Sequence, residues 1–288
     1  MTEPLLGGVE LGGTKCIAVV GAPGRIGDRL EVPTGAPEET LAALADWLSA
    51  RRPEAIGVAS FGPVILDRAD PRYGRIASAP KPGWDGADVL ASFRPVTNAL
   101  ALDTDVGAAA LAEAGFGASR NAERSLYVTV GTGIGGAWVA GGELVHGARH
   151  PELGHLLLRR AAGDAFAGVC PLHGDCAEGL ASGPAIAARA GRSPEDLGDD
   201  HPAWGAAAQA LGALLASLLR ALPVDAVVLG GGVVTGRPRL LARIADELDA
   251  HLAGYPPGLD AQALVRPAAL GRDAGPVGAL VLAANSSR

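Results

Sequence analysis

The chain is poor in aromatic residues, in cysteine and in positive charge, and it lacks a long uninterrupted apolar run. Aromatics are 4% of its 288 residues, so Val, Leu, Ala and Ile must pack whatever core forms. Three cysteines, Cys16, Cys170 and Cys176, are a small, odd set, which argues against a disulfide framework and for a reducing compartment. A formal net charge of -7 disfavours non-specific nucleic-acid binding, which relies on Lys and Arg neutralising phosphates. It leaves a nucleotide ligand open, because backbone N–H groups and one or two cations can hold phosphates locally. No apolar run reaches the roughly 18 residues of a membrane span. The opening MTEPLLGG has no basic stretch before an apolar core, so a cytoplasmic protein without a membrane segment is expected.

What the chain has in abundance is small and turn-forming residues: 42 Gly and 21 Pro within a composition that is 48% apolar, which suits many short elements around a sizeable core. LLGGVEL, CIAVVG and RIGDRLEV read as three strands, the first two joined by the glycines of LGGTK. Pro37, Glu38 and Glu39 open a helix through ETLAALADWLSARR, since Pro and acids suit a first turn. AIGVAS is a buried strand ending at Phe61-Gly62-Pro63, and a Pro- and Gly-rich loop follows. The strand ALALD leads through Thr104 to Asp105 and a helix. SLYVTV, GGAWVA and ELVHG form a second run of strands. Residues 161–176 read as irregular, and Ser182-Gly183-Pro184 starts a helix. AWGAAAQALGALLASLLRALP is the longest helical pattern, DAVVLGGGV a strand ending in glycines, RPRLLARIADELDAHL an amphipathic helix, and AGPVGALVLAA a closing helix. Strands alternating with helices define an α/β class. GGVELGGTKCIAVVG and LYVTVGTGIGGAWVAGG share one form, strand, Gly/Thr turn, strand, with Gly12 and Gly131 standing 119 residues apart. That spacing fits a duplicated domain.

Three glycine loops follow buried strands. Gly12-Gly13-Thr14-Lys15 exposes backbone N–H groups and adds a hydroxyl and a charge. It is not a Walker A loop, because Thr precedes Lys and a strand follows. Gly131-Thr132-Gly133-Ile134-Gly135-Gly136 satisfies GxGxxG, yet a strand rather than a helix comes next, so it is no dinucleotide fingerprint. Gly230-Gly231-Gly232 leaves room for a flat ring against the backbone. Taken alone each is an ordinary turn; taken together they point to a nucleotide. Asp105, by residue type and position, reads first as a helix N-cap; as a base it would accept the proton of an attacking hydroxyl. Asp103, its neighbour, would point the other way along the strand. Cys170-x-x-His173-x-x-Cys176 with His155 fifteen residues before Cys170 supplies two sulfurs and two nitrogens, a closed tetrahedral set for structural zinc. Glu152 and Glu178 flank that set and can be oriented by it. His146 and His150 read as structural.

These segments, in this order, resemble the ROK (repressor, open reading frame, kinase) family of sugar kinases over almost the whole chain, and most of all its bacterial fructokinases. The resemblance rests on Glu10-Leu-Gly-Gly-Thr-Lys15, Gly131-Thr-Gly-Ile-Gly135, His150-Pro-Glu-Leu-Gly-His155 and Cys170-Pro-Leu-His-Gly-Asp-Cys-Ala-Glu178. Ser60-Phe-Gly-Pro63, Pro82-Gly-Trp84, Leu180-Ala-Ser-Gly-Pro184 and Leu229-Gly-Gly-Gly232 add to it. It implies an actin-like, ribonuclease H-like duplicated α/β fold in two domains around an ATP and sugar cleft. The expected division is 1–106, with a C-terminal helix 275–288 packed back on it, and 107–274, carrying a zinc-binding segment 150–178.

The resemblance implies ATP-dependent phosphorylation of a hexose, fructose to fructose 6-phosphate, with Asp105 as general base. Sugar contacts would come from Gly62, Thr104, Asp105, Glu152, His155 and Glu178. Nucleotide contacts would come from Gly12, Gly13, Thr14, Lys15, Thr132, Gly133, Gly183, Pro184, Gly230, Gly231 and Gly232. Zinc would lie at His155, Cys170, His173 and Cys176, and Mg²⁺ with ATP near Glu10, through water. A homodimer is implied, with no nucleic-acid or membrane partner. Three positions depart from the family pattern: Glu10 where many members have Asp, Thr104 where Asn is frequent, and Gly107 where many have Asn. Loss of that amide leaves a hydrogen-bonding role near the site to be filled elsewhere or forgone. Kinases for glucose, mannose or an N-acetylhexosamine are the near alternatives. A repressor with an added N-terminal helix-turn-helix and a catalytically weak sugar sensor are the distant ones.

Overall fold

The pleat of the first strand sets the layers of the first sheet. In β1 (Leu6–Leu11), Val9 and Leu11 enter one buried cluster and Leu6 another, so alternate residues serve opposite faces. The computed structural model describes residues 4–78, 81–147 and 149–286. β1 pairs antiparallel with β2 (Lys15–Ala22), which pairs antiparallel with β3 (Arg25–Pro33). On its other side β1 runs parallel to β4 (Ala55–Ser60), and β4 to β5 (Leu100–Thr104). The sheet order is therefore β3-β2-β1-β4-β5. Helix α1 (Pro37–Ser49) buries Leu41, Leu44 and Leu48 against Val9, Leu11 and Ala18. Trp84, fully buried in the same cluster, meets Phe61 edge-on and donates from Nε1 to the Gly35 carbonyl at 3.0 Å.

On the opposite face lies the last helix, α8 (Ala274–Ser286), with α2 (Asp105–Phe116) beside it. The approach is close enough to require glycine: a Cβ on Gly57 would fall on the Ala279 carbonyl, and one on Gly278 would fall on the Ala108 carbonyl of α2. This packing explains why the chain does not divide after residue 106. Two compact units form, one of Met1–Phe116, Gly142–His150 and Arg272–Arg288, the other of Gly117–Gly141 and Pro151–Gly271. Because α2 rests on α8, β4 and β5, it belongs to the first unit, and the division falls after Phe116. The closing helix begins at Ala274; residues 287 and 288 of the expected 275–288 lie outside the described residues.

The second unit repeats the strand plan. β6 (Arg124–Val130) pairs antiparallel with β7 (Ile134–Ala140) and parallel with β9 (Ala226–Gly230), which runs parallel to β10 (Val265–Pro267). The order β7-β6-β9-β10 matches β2-β1-β4-β5, so the duplication suggested by the two hairpins is present in the topology. Its core surrounds α5 (Pro202–Ala221), against which α3 (Ala177–Ala181), α4 (Gly183–Ala190) and α6 (Pro238–Leu252) pack; a short α7 (Ala261–Leu264) precedes β10. α5 is 20 residues long, and its apolar stretch matches a membrane span by length and composition, but 72% of that stretch is buried, which makes it a core helix. His201 Nδ1 accepts from Ala203 N at 3.2 Å and Pro202 fills the first turn, which sets where α5 begins.

One local expectation is corrected. ELVHG is not a strand throughout: only Glu143–Leu144 form β8, and the chain then leaves regular structure, with His146 engaged by a carboxylate described below. A helical turn, α3, begins directly after Cys176, in a stretch to which the sequence assigned no element.

Candidate active site

The junction of β5 and α2 places three polar residues in succession. Thr104, not Asp105, caps the helix: its Oγ1 accepts from Gly107 N at 2.9 Å, three residues on. Asp105 is thereby released from capping. Its Oδ1 accepts from Val106 N at 2.9 Å, and burial raises its pKa from 3.8 to about 6, the amide bonds and His150 pulling part of the way back. Asp103 is buried; its Oδ1 accepts from Thr104 N at 2.7 Å, and its Oδ2 lies 2.7 Å from His146 Nε2. Gly62, after β4, lies beside His150, whose Nε2 would stand 3.7 Å from a Cβ at that position. The sequence read both histidines as structural because it offered neither a partner; pairing with Asp103 and approach to Gly62 are properties of the fold alone.

Glu10, near the end of β1, faces the start of α8, where a Cβ on Gly275 would collide with its carboxylate. Burial first, and the charge of Asp105 second, raise its pKa from 4.5 to about 7. A half-buried carboxylate with that need for a counter-charge is a suitable partner for a hard divalent cation, so the residue present fits Mg²⁺. In the adjoining hairpin turn, Gly12 N donates to Lys15 O at 3.1 Å, and a Cβ on Gly12 would lie 2.7 Å from that oxygen. Nothing lies within 4 Å of a Cβ on Gly13. Lys15 Nζ is paired with Glu31 at 2.8 Å on the surface. A second cation was missed from sequence: Lys81 Nζ donates to the Gly13 carbonyl at 3.2 Å, and its position just before Pro82-Gly83-Trp84 was the available signal. Thr14 O accepts from Thr34 N at 3.0 Å.

In the second unit the other glycine segments are knitted into one surface by backbone hydrogen bonds. Gly131 N donates to Gly133 O at 2.9 Å, Gly183 N to Gly131 O at 2.7 Å, and Val233 N to Val130 O at 3.0 Å. The β6–β7 turn with Thr132, the start of α4 at Gly183-Pro184 and the loop Gly230-Gly231-Gly232 therefore lie side by side. Gly231 has φ of +87°, and its Cβ would lie 2.6 Å from Val130 N, so only glycine serves there. Gly230 is pressed against Tyr127, whose Oη would be 2.5 Å from a Cβ. Glu178 Oε2 accepts from Ile134 N at 3.0 Å, and a Cβ on Gly133 would lie 2.6 Å from the same oxygen. Glu152 is exposed and precedes the 3-10 turn Leu153–His155.

His155, Cys170, His173 and Cys176 bring four ligand atoms within 4.8 Å of one another. Cys170 Sγ and Cys176 Sγ each lie 3.7 Å from His155 Nδ1, and Cys170 Sγ lies 3.9 Å from His173 Nδ1. Ligands at about 2.0–2.3 Å around a tetrahedral ion stand close to those separations, so the set fits structural zinc with both histidines using Nδ1. Paired bonds between Cys170 and Gly174, at 3.1 and 2.9 Å, and Ala177 N to Leu156 O, at 2.9 Å, shape the loop around it.

A family model described as ROK family matches residues 6–286. The chain belongs to the ROK family. A fructokinase of Pediococcus pentosaceus is 38% identical to it over 281 residues, 97% of each chain. Among solved structures, a ROK hexokinase from Thermus thermophilus is 32% identical with a TM-score of 0.83, covering 98% of this chain and 99% of that one. A ROK family glucokinase from Streptomyces griseus, solved in complex with glucose and AMPPNP, is 28% identical with a TM-score of 0.74 over 98% and 99%. This ROK protein thus has the actin-like ATPase fold of these sugar kinases.

Proposed function

We propose that this ROK protein transfers the γ-phosphoryl group of ATP to the 6-hydroxyl of fructose. The observation that carries the mechanism is Asp105: a half-buried carboxylate at a helix start, relieved of capping by Thr104, with its pKa raised to about 6. Such a group is ionised at neutral pH yet basic enough to take a proton. The sugar oxygen attacks the γ-phosphorus, the new O–P bond forms as the bond to the β-phosphate oxygen breaks, and the hydroxyl proton passes to Asp105. ADP leaves with the electron pair of the broken bond.

In this reading Gly12, Gly13, Thr14, Lys15, Thr132, Gly133, Gly183, Pro184 and Gly230–Gly232 hold the nucleotide through N–H groups and one cation. Glu10 holds Mg²⁺, which when bound neutralises phosphate charge. Gly62, Thr104, Glu152, His155 and Glu178 belong to the sugar side, and zinc at His155, Cys170, His173 and Cys176 fixes the segment carrying Glu178. Fructose is preferred on the strength of the 38% identical fructokinase. The likeness to a ROK hexokinase at 32% identity favours a broader hexose range as the second reading. The reading includes a cytoplasmic location and a homodimer, the latter an expectation that the family resemblance alone carries; light scattering that finds single chains would remove the dimer.

Asp105→Asn tests the base. It should lower kcat by about a thousandfold while sugar binding, measured by calorimetry, persists. A near-native rate would take Asp105 out of the mechanism.

A further inference from the structure

The buried Asp103 has no part in the chemistry above, yet both of its carboxylate oxygens are engaged. A chain of contacts runs from Gly107 N to Thr104 Oγ1 at 2.9 Å, from Thr104 Oγ1 to Asp103 Oδ1 at 3.4 Å, and from Asp103 Oδ2 to His146 Nε2 at 2.7 Å. One end of this chain is the first turn of α2, which begins with Asp105. The other end is His146, shortly after β8; His150, farther along the chain, lies beside Gly62 and within electrostatic reach of Asp105. Asp103 thus holds both arms that flank the proposed base.

Gly107 is the condition for this arrangement. A Cβ there would collide with Asp103 Oδ1 and lie 3.0 Å from Thr104 Oγ1. The carboxylate of Asp103 occupies the volume that any side chain at 107 would need. The missing amide at 107 is therefore not an empty place, and restoring Asn there without changing Asp103 would force the two groups together.

We propose that Asp103 and His146 form a positioning pair for Asp105, admitted by the absence of a side chain at Gly107. The proposal rests on the reading of Asp105 as the general base. Neither member touches the reacting atoms. The pair fixes the start of α2 and the stretch carrying His146 relative to each other, and displacement of a reacting group by about 1 Å can cost up to about a hundredfold in rate.

The test uses the full-length, zinc-loaded protein with fructose and MgATP, in the variants Asp103→Ala, His146→Ala, their double, Asp103→Asn, Gly107→Asn, and Gly107→Asn with Asp103→Ala. Each alanine variant should lose about tenfold to a hundredfold in kcat with the KM for ATP within about twofold of native. The double should be no worse than the worse single, because the two residues act as a unit. Asp103→Asn, which keeps an acceptor for Thr104 N–H, should retain more activity than Asp103→Ala. Gly107→Asn should be impaired alone and partly restored by Asp103→Ala.

Alanine variants within about twofold of native, losses that multiply in the double, or Gly107→Asn with native activity would overturn the pair. Hydrogen exchange of residues 142–150 supplies a readout that needs no turnover. Faster exchange in Asp103→Ala and His146→Ala supports the tether, and unchanged exchange overturns it. If the native protein phosphorylates no sugar, the general-base reading fails by itself and exchange still decides the pair.

Discussion

Replacing Glu10 by Gln should stabilise the protein, and more so the higher the pH. The native carboxylate is half-buried where α8 begins and is raised from 4.5 to about 7 by desolvation and by the charge of Asp105, with Asp273 adding and Lys15 and Arg29 opposing. Between those two values the folded chain keeps a proton that the unfolded chain has released, so stability falls as pH rises through the window. At about 1.4 kcal/mol for each tenfold in proton affinity, the full cost is about 3 kcal/mol above pH 7. Gln keeps the shape and removes the charge. Its advantage over the native residue should be about 1 kcal/mol at pH 5 and approach about 3 kcal/mol at pH 8. Urea unfolding in chelator, followed by the fluorescence of Trp47 and Trp84 in the same unit, measures this at both pH values. Chelator matters, because a divalent cation held by Glu10 would offset the same cost. An advantage that does not change with pH would refute the reasoning.

Other outcomes follow from the same structure. With Asp105 raised to about 6, kcat/KM for the sugar should fall about tenfold per pH unit below that value and level off above it; a limb near 4 in the pH profile would mean that another group is the base. Zinc should co-purify at about one ion per chain, and Cys170→Ser or chelation should loosen the segment around residues 153–179, read by proteolysis; a metal-free chain with native protection there would contradict the four-ligand assignment. Gly133→Ala should push Glu178 off Ile134 N, since its Cβ would lie 2.6 Å from the carboxylate, and should cost about 1–3 kcal/mol in stability together with a higher sugar KM; native kinetics would show that the Glu178 contact is dispensable.

The parts of this account legible in the sequence are those whose cause is local. Strand, Gly/Thr turn and strand recur in both halves, and the sheets repeat the order β2-β1-β4-β5 as β7-β6-β9-β10. Cys170, His173 and Cys176 share one short loop, so their convergence with His155 needed little of the fold. The cap at α2 was misassigned because Thr and Asp are both good capping residues; a one-residue difference in where the helix starts decides between them, and the bond from Gly107 N to Thr104 settles it. Asp103 with His146 was beyond reach, since the partners are 43 residues apart and one lies in an irregular segment. Lys81 was hidden for the same reason, reaching Gly13 from 68 residues away. The boundary after Phe116 follows from α2 resting on a helix at the far end of the chain, which no local pattern announces.

The central claim is tested most directly by ADP release from the purified, zinc-loaded protein supplied with MgATP and, in turn, fructose, mannose, glucose, N-acetylmannosamine and N-acetylglucosamine. The account predicts fast release with fructose, with phosphate appearing on its 6-hydroxyl. Fast release only with another hexose would keep the mechanism and overturn the substrate. No release with any sugar would contradict the assignment of this chain as a sugar kinase.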